Sequence, residues 1–523
     1  MPANRQPQKR PSVHSASAGG ARVGAGSSAH RGGASTHGRS LGARSSARGG
    51  KTAGASASRL SGASGGARSS KRPSASTRPS VAQISHTGLG SHSTMGGRGN
   101  GTRGNGGGGK TLMTRRNFLY GALGVGAAAA AIGVGVSIAG GSSDSSSVIS
   151  TLTVPASSVF TLEGCTEIGV EEAFGLVGSF ELPLGTLVWA GDGGMAACLV
   201  PTEQASPLTQ VSLLSLSSGN TTTVLKEAVG KSEGFEIYDV RTSADGLLWT
   251  EANILEGTWR IMAAPISSSG SVGDSTMLDF GGDDVQTPGI AAVGSSAFWV
   301  SMPPATASNA KTGKAVLKRA RFSTGTSEVL FESKGRMAAP LYACDGGVVI
   351  TPKNSQSSSY YELRRIDEAT GQTTDSLVLP SSMVPNQVGY GADGFAFCFE
   401  SIYDYGDGIA NLGTYTPAAP HTQGNSYNGL TWFRFGRTPL SSPCWCTDAW
   451  FMVKSTQSVA AINLAQKIYC VFGVESGCTD WGDYLASTGT SSSVVTVMQI
   501  DQTDTSGTAE QKTLVRVWKP VSA

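Results

Sequence analysis

Apolar positions divide the chain into stretches of different texture. Residues 1–112 are Ser, Gly, Ala and Arg with few large apolar side chains and no periodicity, so they bury too little surface to offset the entropy of folding. Leu119 to Ala139 is an uncharged run rich in Ala and Gly, about the 20 residues a helix needs to cross a hydrocarbon layer. From Leu187 onward, short β-branched and aromatic runs alternate with Gly, Asp, Ser and Pro, and no long amphipathic helix stands out. That is the pattern of strands and turns. The chain thus divides into a basic region without a fold (1–112), an apolar segment (113–141), a Ser-rich linker (142–150) and an all-β body (151–523).

Within the body the pattern repeats. Leu187-Val188-Trp189, Leu247-Leu248-Trp249, Ala297-Phe298-Trp299, Val348-Val349-Ile350, Phe395-Ala396-Phe397 and Ala449-Trp450-Phe451 align, with their third residues spaced 60, 50, 51, 47 and 54 apart. Each is followed by a longer alternating strand, such as Trp259–Ile266, Tyr360–Ile366 or Leu430–Phe435, and then by a shorter one. A further pair, Val494–Ile500 with Leu514–Trp518, ends the chain. A four-stranded unit of about 50 residues, repeated six or seven times, resembles a β-propeller. The resemblance implies six to eight blades, with seven fitting the strand count, and a strand within Ile149–Phe180 closing the ring. It makes the repeated aromatic position core packing between blades. A pair of β-sandwiches explains the composition but not the period. Neither Trp-Asp and Gly-His signatures nor regularly placed Gly pairs occur, so the resemblance is architectural and transfers no functional residues.

Charge sharpens the division. The net charge of +3 combines +19 carried by residues 1–116 with −16 carried by residues 144–523, because no Asp or Glu precedes Asp144. The uncharged run has positive charge on its amino side only, so that side stays in the cytoplasm and Gly140 onward faces out. The sequence Thr114-Arg115-Arg116-Asn117-Phe118-Leu119 before a weakly hydrophobic span resembles the twin-arginine (Tat) export signal. That resemblance makes Arg115, Arg116, Phe118 and Leu119 the export determinants and implies passage through the Tat translocase in a folded state. Ser137-Ile138-Ala139 offers a small-x-small cleavage site, and the span serves equally well as an anchor, so the body is expected on the extracytoplasmic side of the membrane, held or released. For the basic front three readings stand: an RNA-binding Arg-Gly tract, a lipid-proximal tail, and an upstream extension of a signal that begins at Met113. The absence of any aromatic before Phe118 argues against nucleic acid.

Candidate chemistry is sparse. Five of the six His lie in the front and only His421 in the body, which excludes a multi-His metal site there. No His-Glu-x-x-His motif occurs, a serine nucleophile in the body would have only His421 as its base, and no cofactor is implied. Asp283-Asp284 and Asp404/Asp407 are weak candidates for calcium, against ordinary turn acids. Eight cysteines in an exported body suggest disulfides, with Cys470–Cys478 and Cys165–Cys198 as possible pairs. The repeat is interrupted at 403–428, read as one long insertion carrying Tyr403, Asp404, Tyr405, Asp407, Tyr415, His421 and Tyr427. Tyr and Asp on a loop over a rigid scaffold suit glycan or protein contacts. The expected function is a binding or scaffold module of the bacterial envelope, with a propeller enzyme acting on envelope glycans as the alternative.

Overall fold

The computed structural model describes residues 149–521 apart from 205, 268–269, 402–404, 406–407, 438–439 and 504–508. The Tat signal residues Arg115, Arg116, Phe118 and Leu119, the span 119–139, and Tyr403, Asp404 and Asp407 lie outside the described residues. Among the described residues no helix is long and apolar enough to cross a membrane.

The body is all-β and built as a propeller. Six sheets are made of consecutive antiparallel strands, over 187–225, 236–281, 289–334, 342–378, 387–435 and 444–471, here blades 1 to 6. A seventh, closing sheet joins Cys478–Leu485, Val494–Thr503 and Ala509–Pro520 to a strand from the other end of the described chain, Phe174–Pro183. The expected closure from the segment before residue 181 is thus made by Phe174–Pro183. Its register runs from Phe174 opposite Pro520 to Pro183 opposite Lys512.

Packing follows from strand periodicity. Successive side chains on a strand point to opposite faces, so each blade buries one set against each neighbour. In blade 2, Trp249 packs with Leu187 and Leu199 of blade 1, while the adjacent Leu248 packs with Trp299 of blade 3. Further clusters join blades 3 and 4, 4 and 5, 5 and 6, blade 6 with the closing sheet, and the closing sheet with blade 1. Trp249, Trp299, Phe397 and Phe451 of the repeat are essentially fully buried. At about 2–3 kcal/mol per large apolar side chain, this repeated position is a main source of cohesion between blades.

Two elements differ from the sequence reading. Trp189 lies on the first strand of blade 1, Leu187–Ala190, whereas Trp249, Trp299, Ile350, Phe397 and Phe451 lie on the second strands of their blades. The equivalent strand in blade 1 is Met195–Pro201, which removes the anomalous spacing of 60. The stretch 403–428 is also not one insertion. It contains the third strand of blade 5, Leu412–Pro417, paired on both sides. Leu430–Phe435 supplies the fourth strand, Trp432–Phe435, rather than the third.

The strands alternate in direction, so their connections sort onto two faces. One face, the turn face, carries the links from first to second and from third to fourth strands. The opposite link face carries the links from second to third strands and from blade to blade. The segment 149–183 enters on the link face, where Leu152 N–H donates to the Val378 carbonyl (2.8 Å) and the Val154 carbonyl accepts from Gly408 N–H (2.8 Å). It then pairs in parallel with the outer strands of blades 5 and 6 through Val159–Phe160 and Thr166–Glu167 before becoming the outer strand of the closing sheet. Unpaired outer edges invite aggregation, and this strap covers two of them.

The disulfide expectation is corrected. All eight thiols are free. Cys470 sits in the cluster between blade 6 and the closing sheet and Cys478 in a separate one. Cys165 and Cys198 are likewise in different clusters. Burial pushes the Cys198 and Cys470 thiols up to about 12, which keeps them protonated.

Candidate functional site

The predicted binding loop separates at Leu412–Pro417 into two connections that leave opposite ends of that strand. On the link side, Tyr405 Oη donates to the Ser382 carbonyl (3.0 Å) and its ring lies edge-on to Phe399. Tyr415 is on the strand itself and fully buried, its hydroxyl accepting from Ala410 N–H (2.9 Å) and its ring stacked against both Phe397 and Phe399. His421 and Tyr427 belong to the other connection, 418–431. Of the described residues in the predicted set, only these last two meet, with rings stacked at 3.7 Å.

They meet over an acid that the sequence reading missed. Asp375, on the outer strand of blade 4 (Thr373–Val378), accepts hydrogen bonds from Tyr427 Oη (2.7 Å) and Tyr390 Oη (3.0 Å). His421 Nε2 is 3.7 Å from Asp375 Oδ1, too long for a hydrogen bond, and has no other partner. Burial pushes the imidazole below its ordinary value, with the Asp375 charge opposing. Burial, followed by the Asp375 charge, pushes both tyrosines up. Every hydroxyl here is spent on the protein, so this cluster pins the 418–431 loop into the gap between blades 4 and 5. Nothing in it faces a ligand.

What the pinned loop builds is more open. Ala418, Ala419 and Pro420 form one wall of a cleft of about 560 Å³ between blades 5 and 6 on the turn face, completed by Asp393, Asp448, Asn463 and Gln466. Asp393 and Asp448 lie on equivalent first-to-second-strand turns of adjacent blades. Asp393 accepts a hydrogen bond from Trp445 Nε1 (3.2 Å) and is largely buried. Burial raises its carboxyl to about 6, with the Trp445 hydrogen bond opposing and the Asp448 charge adding to the rise. Asp393 therefore exchanges its proton near neutrality, and strongly shifted groups in a cleft mark candidate sites. Acids on equivalent turns recur: Asp192 accepts from Ala244 N–H (2.6 Å) and Gly294 N–H (2.8 Å), tying blades 1, 2 and 3 together, and Asp345 accepts from Thr490 N–H (3.2 Å). Among the described residues no group of three or more His, Cys, Asp or Glu comes together to hold a metal. Asp283 and Asp284 lie on the connection that follows the strand Thr276–Gly281.

The Asp393 carboxyl gives a pH signature. A carboxyl raised to about 6 in the fold, above its unfolded value, contributes stability that is complete at low pH and lost as pH rises through 6. Asp393→Asn keeps an acceptor for Trp445, so it should raise stability by about 2 kcal/mol at pH 7.5, where the wild-type charge is buried, and by almost nothing below pH 4. Equal denaturation midpoints for wild type and variant at both pH values would refute this account.

No protein-family model matches the chain, and no curated protein does. Solved structures match in fold. TolB from Acinetobacter baumannii aligns at 12% identity with a TM-score of 0.32, over 54% of this chain and 64% of that one. A post-proline cleaving enzyme from Rickettsia typhi aligns at 8% identity with a TM-score of 0.40, over 62% and 52%. The β-propeller domain of the Trilobed protease from Pyrococcus furiosus aligns at 9% identity with a TM-score of 0.39, over 64% and 97%. This chain thus spans less than two thirds of the first two proteins, and similarity at this level carries no functional argument.

Proposed function

We propose that this protein is an envelope binding module: a Tat-exported β-propeller, tethered outside the bacterial cytoplasmic membrane by residues 119–139, that holds a glycan or an envelope protein in the cleft between blades 5 and 6. The cleft carries the binding reading, since its concave wall sets two carboxylates, Asp393 and Asp448, beside the amides of Asn463 and Gln466. A few convergent polar groups in a recess are the usual form of a ligand site, and carboxylates and amides pair well with polyol hydroxyls. Export rests on the Arg115-Arg116 signal. Replacing both by Lys should confine the protein to the cytoplasm, read as loss of protease accessibility in intact cells. Undiminished surface exposure of that variant would remove the Tat assignment.

A second reading has one specific observation behind it. A carboxyl near pKa 6 beside a second acid is the arrangement by which glycan-cleaving enzymes separate a proton donor from its partner. A turnover assay on cell-wall glycans, run beside a pull-down from envelope extract, separates the readings. Turnover lost in Asp393→Asn favours the enzyme, and retention of glycan or protein without turnover favours the binding module.

A further inference from the structure

The two faces of the propeller differ in chemistry. Among the described residues fifteen large apolar side chains are exposed. Eight of them sit on the link face, including Leu184, Val229, Leu255, Val384, Leu440 and Trp481. Leu255 is 92% exposed at the tip of its connection and Trp481 is 56% exposed. The other seven lie on outer strands or, for Val521, at the C-terminal end. None lies on a connection of the turn face, where Asp192, Asp245, Asp345, Asp393 and Asp448 occupy five equivalent turns. Isolated exposed apolar residues are ordinary. Eight on one face, with none on the connections of the other, form an asymmetry of the whole body.

Trp481 is presented deliberately. It lies on a bulge in the first strand of the closing sheet, where the register jumps between Cys478 and Asp483. The bulge passes so close to blade 6 that a Cβ on Gly482, at φ +66°, would stand 2.0 Å from the Gln457 carbonyl oxygen. The ammonium of Lys454 is buried beneath and donates to the carbonyls of Trp481 (2.9 Å) and Asp483 (2.5 Å). Fixing a backbone bulge with a buried lysine leaves the indole standing outward on the link face.

The chain enters the body on this same face. Only residues 140–151 separate Ala139, the end of the apolar span, from Leu152 at the link-side end of blade 4. Twelve residues reach about 40 Å at full extension. A body tethered so closely by an edge of its apolar face presents that face to the bilayer. Aromatic and aliphatic side chains at the headgroup level then have their preferred surroundings. We propose that the link face is a membrane-resting surface, with Leu255 and Trp481 dipping into the lipid interface and the turn face, with its cleft, turned outward. This rests on the reading that residues 119–139 remain as an anchor.

Site-specific photocrosslinking in the full chain tests both steps separately. The protein is reconstituted into vesicles of phosphatidylethanolamine and phosphatidylglycerol, with p-benzoylphenylalanine replacing Leu255 on the link face or Ser218, which is exposed on the turn face. Flotation with the vesicles reports the anchor. Lipid adducts report the face, and Leu255→p-benzoylphenylalanine should form about tenfold more than the Ser218 variant, since only the apolar face partitions into the interface. Floating protein with equal adducts at the two positions, or with none, overturns the membrane-resting face while the anchor stands. Protein that stays at the bottom of the gradient overturns the anchor reading and the face assignment with it. Both positions are exposed and away from the cores, so neither label perturbs folding.

Discussion

Deleting residues 149–183 from the full chain is expected to leave no folded monomer. The loss begins with the ladder between Phe174–Pro183 and Ala509–Pro520, which the closing sheet cannot replace from elsewhere in the described chain. Phe174 packs at 5.1 Å from Trp450 and 5.2 Å from Phe472, so it belongs to the core between blade 6 and the closing sheet. Leu182 belongs to the next core, with Val188 and Val515, and Leu152 and Val154 to the one between blades 4 and 5. Five buried apolar side chains, counting Ala173, contribute on the order of 10 kcal/mol by transfer alone, comparable with the whole stability of an ordinary domain. The deletion also uncovers the outer edges of blades 5 and 6, so the product should aggregate. Size-exclusion chromatography and near-ultraviolet circular dichroism check this. A monomer with a cooperative melt like that of the intact chain would show that the ring closes without its outer strand.

That dependence bears on what the sequence revealed. The period of about fifty residues was legible because Trp249, Trp299, Phe397 and Phe451 each mark a second strand with a large side chain buried between blades. Blade 1 was misread because its second strand, Met195–Pro201, fills the same position with Ala, Cys and Leu, and the nearest aromatic, Trp189, sits one strand earlier. The strand Leu412–Pro417 was hidden for a related reason: Gly413 and two Thr gave it the texture of a loop, and only its pairing with Gly394–Glu400 reveals it. The sites were less legible than the fold. Tyr427 and its partner Asp375 are 52 residues apart, as are Asp393 and Trp445. Such contacts cross from one blade to the next, and neither spacing matches a local periodicity. An isolated Asp in Thr-Thr-Asp-Ser-Leu looks like any surface acid. The signal that separates it is its two tyrosine donors, and those require the ring to be assembled.

The same cross-blade logic makes Asp483→Ala the most damaging single substitution in the closing sheet, with an expected loss of about 3–5 kcal/mol. Asp483 and Arg516 are both essentially buried and joined at 2.7 Å. The Arg516 guanidinium also reaches Glu475 at 3.4 Å and lies over the Trp518 ring. Lys454 approaches from blade 6, its ammonium pushed down to about 8 by burial with the Asp483 charge opposing. Removing the carboxylate leaves the buried Arg516 with only the half-exposed Glu475 at 3.4 Å and takes a neutralising charge from Lys454, and the loss of a partner costs more than the pair itself contributes. Asp483→Asn keeps the shape and one acceptor and should cost less than the alanine variant. A double variant, Asp483→Leu with Arg516→Leu, removes both charges together. It should recover much of the loss, because a buried pair replaced by apolar groups of similar volume is nearly neutral. The comparison is read from urea denaturation midpoints of the three variants, at constant slope. A single variant as stable as the double would mean that water reaches Arg516 and that the interface between blade 6 and the closing sheet holds through its apolar contacts alone.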